Sequence, residues 1–287
     1  MKKPGAWGLG ALFLLGTLVG WRPLSATFSL AWQNDQYTQI LLILPVSVAL
    51  IYLEWPALRA MTNPGVAAGS VLLAVATLIA AAVKWSLVSL PPDVRVSIGT
   101  FALVLWWIGA FVLCFGTRVS RSLIFPLLFL FWLVPFPQAM LNACVTFLQR
   151  ESAVAAELLF NLAGVPVARE GVMLTIPALT VQVAQECSSI RSSLMLLVTT
   201  MVLAQLTLRS PWRKALVIAL AVPLSVAKNA VRIFTIAMLG TRVDPGFLTG
   251  RLHHQGGIVF FLMSLLAVFF LLWLLRRTEN HALPVTA

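Results

Sequence analysis

Cys187, Arg232 and His253 are residues of this chain whose types suit a single chemistry. A thiolate is a strong nucleophile, and an ordinary thiol ionises at about pH 8.5 unless cations or a helix N-terminus stabilise the anion. Cys187 stands in Gln185-Glu186-Cys187-Ser188-Ser189-Ile190-Arg191-Ser192-Ser193, where a polar segment runs into a long apolar one. That context reads as the head of a helix, with Ser188 and Ser189 as caps and Arg191 four residues on, on the same face. The planar guanidinium of Arg232 suits an oxyanion or a thiolate. A histidine beside a thiol acts as general base and then as general acid to a leaving amine. His253 and its neighbour His254 both offer that group, and His281 lies in the tail. A cysteine, an arginine and a histidine together can perform acyl transfer through a thioester.

Each residue also has a plainer reading. A lone cysteine is more often a small buried hydrophobe than a nucleophile. Lys228, Asn229 and Arg232, at spacings of three and four, make one polar face on an apolar helix. A charge inside a membrane span costs about 2.5–3.5 kcal/mol on insertion scales, so it usually faces a cavity or a partner. The alternative is that Lys228 and Arg232 snorkel to the interface near the helix end. Of the two, Lys228 fits snorkelling or a structural pair, and Arg232 lies nearer the outer end. His253 and His254 also read as wet loop histidines.

Membrane helices must position these groups. The chain has 287 residues, of which 60% are hydrophobic and 10% charged, with mean hydropathy +0.95. Several continuous apolar runs approach or exceed the ~20 residues that cross a bilayer. Continuous rather than alternating runs argue against a β-barrel. Eight spans are expected, at about 6–21, 38–54, 66–83, 97–115, 122–135, 190–207, 215–239 and 258–275, with a polar segment at 22–37. The lysines at 2 and 3 followed by an apolar run read as a first, uncleaved span. The fold class is an all-α polytopic membrane protein, one domain over 1–287 with an extracytoplasmic insert at about 137–186.

The insert changes pattern. Over 138–163, Met140, Leu141, Val145, Leu148, Leu158 and Leu159 alternate with Gln149, Arg150, Glu151 and Glu157, as in an amphipathic helix that Gly164-Val165-Pro166 ends. Over 167–185, Val172, Leu174, Ile176, Leu179, Val181 and Val183 alternate around Pro177, which reads as a short β-hairpin or extended pair leading to Cys187.

Lysine and arginine number 20 against 9 acids, a net +11. In this setting the excess follows the positive-inside rule, and no nucleic-acid signature accompanies it. Eight spans place both termini on one side. A cytoplasmic N-terminus puts Lys2, Lys3, Arg59, Arg118, Arg121, Arg209, Arg213, Lys214, Arg276 and Arg277 inside. Cys187, the 228–232 stretch and His253 then fall at similar depth on the outer side. The cysteines, Cys114, Cys144 and Cys187, are odd in number and form no CxxC, which argues against a disulfide framework or a zinc site. No cluster has metal-ligand spacing, and no cofactor is expected.

Ordered pieces of the chain resemble the exosortase/archaeosortase family of membrane transpeptidases. Trp32-Gln33-Asn34-Asp35-Gln36-Tyr37 is similar to its W-x-x-D-x-x-Y stretch. Pro135-Phe136-Pro137, Leu148-Gln149 and Gly164-Val165-Pro166-Val167-Ala168-Arg169-Glu170-Gly171 resemble its lead-in to the active site. Glu186-Cys187-Ser188-Ser189-Ile190-Arg191-Ser192 is similar to E-x-C-S-G-[IL]-R-S, with Ser189 in place of the glycine and the acid directly before Cys187. Asn229-Ala230-Val231-Arg232-Ile233 resembles N-x-x-R-[IV], and His253, Gly257 and Phe261 fit H-x-x-x-G-x-x-x-F. That last spacing favours His253 over His254. The resemblance covers about 30–262.

The resemblance implies a cysteine protease-transpeptidase in the inner membrane, with its active site facing outward. Its substrates would be secreted proteins ending in a Pro-Glu-Pro-like motif, a transmembrane helix and a basic tail. Cys187 would be the nucleophile, Arg232 the oxyanion or thiolate partner and His253 the acid-base. Glu186, Ser188, Arg191 and Asn229 are supporting or substrate-binding candidates. The acceptor would be an amine, a lipid-linked group or water, and the surrounding partner is membrane lipid. Two other readings compete: a transporter or flippase for an envelope-polymer precursor, and a structural partner in envelope-polymer assembly.

Overall fold

A continuous apolar run can satisfy its own backbone in lipid only as a helix, and helices form here almost throughout. The computed structural model describes residues 4–58, 63–85, 90–177, 179–182, 190–249 and 257–281. Two compact units divide the chain, Met1–Leu141 and Asn142–Ala287.

The first unit holds α1 (Pro4–Val19), α2 (Trp21–Gln33), a 3-10 turn at Asp35–Tyr37, α3 (Ile40–Leu58), α4 (Val66–Trp85) and α5 (Pro92–Phe115). It continues with α6 (Thr117–Ser122) and α7 (Ile124–Phe129), which runs on as a 3-10 turn over Leu130–Leu133. Helices α1, α2 and α4 all pack on α5. Gly69 lets α4 approach closely, because a Cβ there would meet the α5 backbone at Leu113. Phe111, Cys114, Phe115, Val119, Leu123 and Leu127 form one apolar cluster. Cys114 is a buried thiol within it.

The second unit holds α8 (Gln138–Leu162, which starts at the junction), β1 (Ala168–Glu170), β2 (Met173–Ile176) and β3 (Leu179–Gln182). It ends with α9 (Ile190–Thr207), α10 (Pro211–Arg242), α11 (Gly246–Thr249) and α12 (Gly257–His281). The strands form an antiparallel sheet in the order β1-β2-β3, with Arg169 opposite Leu174 and Leu174 opposite Val181. Leu174 and Ile176 point into the core, while Met173 and Thr175 face out.

The architecture is that of an all-α polytopic membrane protein. Six helices are long and apolar enough to cross a membrane, or eight if each of two bent pairs is one span. The expected count of eight is reached only through those pairs, so two expected spans need redrawing. The segment 22–37 is not merely polar: α2 occupies most of it, bent by 74° from α1. Leu24, Thr27 and Ala31 make its buried stripe, and Thr27 Oγ1 shares a 2.8 Å hydrogen bond with Thr100 Oγ1 on α5. The expected straight span at 122–135 is also broken. Its helical part, Ile124–Leu133, covers ten residues, roughly half the bilayer core at ~1.5–2 Å per residue. Pro135 and Pro137 lack the N–H groups needed to extend it. The amphipathic helix expected at 138–163 is α8. The expected hairpin has gained a third strand: the chain turns at Gly171, whose φ is 62°, and β3 pairs antiparallel with β2.

Candidate functional site

Helix α10 is 32 residues long, about 48 Å at ~1.5 Å per residue and well beyond a bilayer core of ~30 Å. It outreaches the expected 215–239 at both ends, so Lys228 lies near its middle rather than near its end. Ser225, Lys228, Asn229 and Arg232 recur at the three- and four-residue spacing of one helical face. They are 2%, 3%, 0% and 8% exposed, which excludes snorkelling to an interface. Lys228 Nζ instead donates a hydrogen bond to Ser192 Oγ. Ser192 belongs to the first turn of α9, and its neighbour Arg191 is exposed.

An adjacent face of α10 anchors this seam. Ala230, Ile233 and Ala237 pack with Ala153, Ala156 and Phe160 of α8 and with Leu174 and Ile176 of the sheet. The rings of Phe160 and Phe234 lie 5.1 Å apart. Arg169 on β1 donates through Nε to Glu157 on α8 at 2.5 Å. Lower down, Leu196 and Ala204 of α9, Val217 of α10 and Val268 and Leu272 of α12 form a second core. α9 and α10 are therefore held in register at one end by apolar packing and at the other by Lys228 and Ser192.

The first unit ties together two other motif pieces. Tyr37 donates its hydroxyl to the Phe136 carbonyl at 2.9 Å. Ser97 Oγ donates to the Pro135 carbonyl at 2.7 Å. Asp93 Oδ2 accepts the Gln138 N–H at 2.8 Å, capping α8 from the first turn of α5. The tyrosine of 32–37 thus fixes the bend at 135–137. Asp93, Ser97 and Ser192 were not singled out by sequence reasoning. Ser192 stood inside the quoted motif, but its partner lies 36 positions away, where no local pattern reaches.

Of the residues expected to do chemistry, Arg191, Asn229 and Arg232 are placed as above. Cys187, Glu186, Ser188, His253 and His254 lie outside the described residues. What the described part offers is a buried, positively charged seam. In a low-dielectric interior such charges and donors act more strongly on an anion than they would in water.

A model of the family described as Transmembrane exosortase (Exosortase_EpsH) matches residues 32–270. No curated protein matches the chain, and no solved structure does. The matched range takes in every motif piece quoted above and both faces of α10.

Proposed function

The chain belongs to the transmembrane exosortase family, and from that premise we propose that it is a cysteine peptidase-transpeptidase acting on C-terminal sorting signals. The observation that carries this reading is the family match over 32–270. The burial of Asn229 and Arg232 on one face of α10 supports it. The working domain is the whole transmembrane chain. It sits in the inner membrane with both termini cytoplasmic and its site on the outer side, as the basic links between spans favour.

Cys187 attacks the scissile carbonyl and forms a tetrahedral oxyanion, which Arg232 stabilises. His253 gives a proton to the leaving amine, and the C–N bond breaks to leave a thioester on Cys187. An amine acceptor or water then loses a proton to His253 and attacks the thioester, releasing the thiolate. Glu186, Ser188, Arg191 and Asn229 surround these groups in sequence or on the same helices and are taken as supports. The substrate is a secreted protein ending in a Pro-Glu-Pro-like motif, one transmembrane helix and a basic tail.

The test is Cys187→Ser in membranes that hold a tagged sorting-signal substrate. Cleavage is expected to vanish while the protein stays inserted at wild-type level. Full processing by Cys187→Ser rejects the thioester reading. It would favour a carrier or flippase, for which buried cations on α10 are also useful.

A further inference from the structure

Lys228 has no place in the acyl-transfer scheme, yet it is among the most deeply buried charged side chains described, at 3% exposure in the middle of a membrane helix. Packing alone does not favour that choice. A cation in a span costs about 2.5–3.5 kcal/mol on insertion scales. Replacing a buried ion by an apolar side chain of similar volume is often neutral or stabilising. An ionisable residue kept inside a span therefore points to function, and its named partner says where. Here one partner is Ser192 Oγ, in the first turn of α9. The N-terminal end of a helix favours negative charge nearby. Arg232 stands one helical turn further along the face that bears Lys228.

We propose that Lys228 is a positioning residue for the acyl transfer: bonded to Ser192, it fixes the first turn of α9 on α10 and brings a second buried positive charge to the seam that holds Arg232. This deepens the reading above and rests on it. The charge lowers the energy of an anion formed at the seam, whether a thiolate or the oxyanion of the tetrahedral intermediate. The bond to Ser192 prevents the long side chain from leaving the seam. No bond to Lys228 is made or broken in the reaction.

The experiment uses the full chain in membranes with Cys114 and Cys144 replaced by alanine, so that Cys187 is the remaining thiol. It compares wild type, Lys228→Met, Lys228→Arg, Ser192→Ala and Cys187→Ser. Two rates are read: processing of the tagged substrate, and alkylation of Cys187 by a maleimide at pH 7. Melting temperature in detergent is measured alongside. Lys228→Met is expected to lower both rates at least tenfold with its melting temperature kept or raised. Lys228→Arg is expected to stay within about threefold of wild type, and Ser192→Ala to fall between the two. Wild-type rates in Lys228→Met overturn the proposal. So does an equal loss of rate and melting temperature in Lys228→Met and Lys228→Arg, which is the signature of a purely structural lysine. Full processing by Cys187→Ser overturns the acyl-transfer reading instead, while the alkylation rates still report on Lys228.

Discussion

At the scale of the residue, the polar face of α10 is a matter of charge held away from water. Arg232 is 8% exposed and Asn229 fully buried on the same helix. A guanidinium in that setting offers a planar fork of fixed donors. If it faces the reacting thiol, it should raise the fraction of thiolate. Arg232→Ala is expected to slow alkylation of Cys187 at pH 7 by about tenfold. Arg232→Lys, which keeps the charge but loses the planar fork, should recover only part of the rate. An alkylation rate indifferent to Arg232 removes the pairing from the mechanism.

At the scale of the element, side chains from distant helices tie down two of the turns. The turn between α9 and α10 is closed by α12. Glu279 accepts the N–H of Arg209 at 3.0 Å and of Ser210 at 2.7 Å. Arg213 donates to the Leu275 carbonyl at 2.8 Å. A side chain that satisfies orphan N–H groups at a helix start is worth on the order of 1 kcal/mol. Glu279→Ala should lower the melting temperature in detergent, with Glu279→Gln in between. An unchanged melting temperature in Glu279→Ala shows that water serves those N–H groups as well. At the bend at 135–137, Tyr37 and Ser97 donate to the Phe136 and Pro135 carbonyls and Asp93 accepts the Gln138 N–H. That bend hands the chain from the short helical stretch Ile124–Leu133 to α8.

At the scale of the whole molecule, the protein is multi-pass, and the proposed sidedness of its loops rests on where their cations lie. Accessibility to a membrane-impermeant maleimide reads this directly in a chain stripped of its own cysteines. Thr175→Cys, on the outward face of β2, should label in intact spheroplasts. Arg277→Cys, on an exposed position near the end of α12, should label only after permeabilisation. The reverse pattern inverts the proposed topology and places the cysteine segment on the cytoplasmic side.

Much of this was readable in the chain itself. Membrane residence, helix type, the amphipathic α8 and the polar face at 228–232 all rest on local hydropathy and on periodicities of 3.6 and 2. The motif pieces are short and ordered, so the family was legible as well. What only the tertiary structure decided is non-local. Hydropathy cannot tell a lysine that snorkels from one that is buried, because the difference lies in the length of α10 and in a serine on another helix. Nor can it see that the stripe Leu24, Thr27 and Ala31 has α5 to lie against, which turns a polar loop into a helix. The partner of Tyr37 is a carbonyl 99 positions away. Local sequence sets which conformations are cheap; the contacts available on other elements select among them.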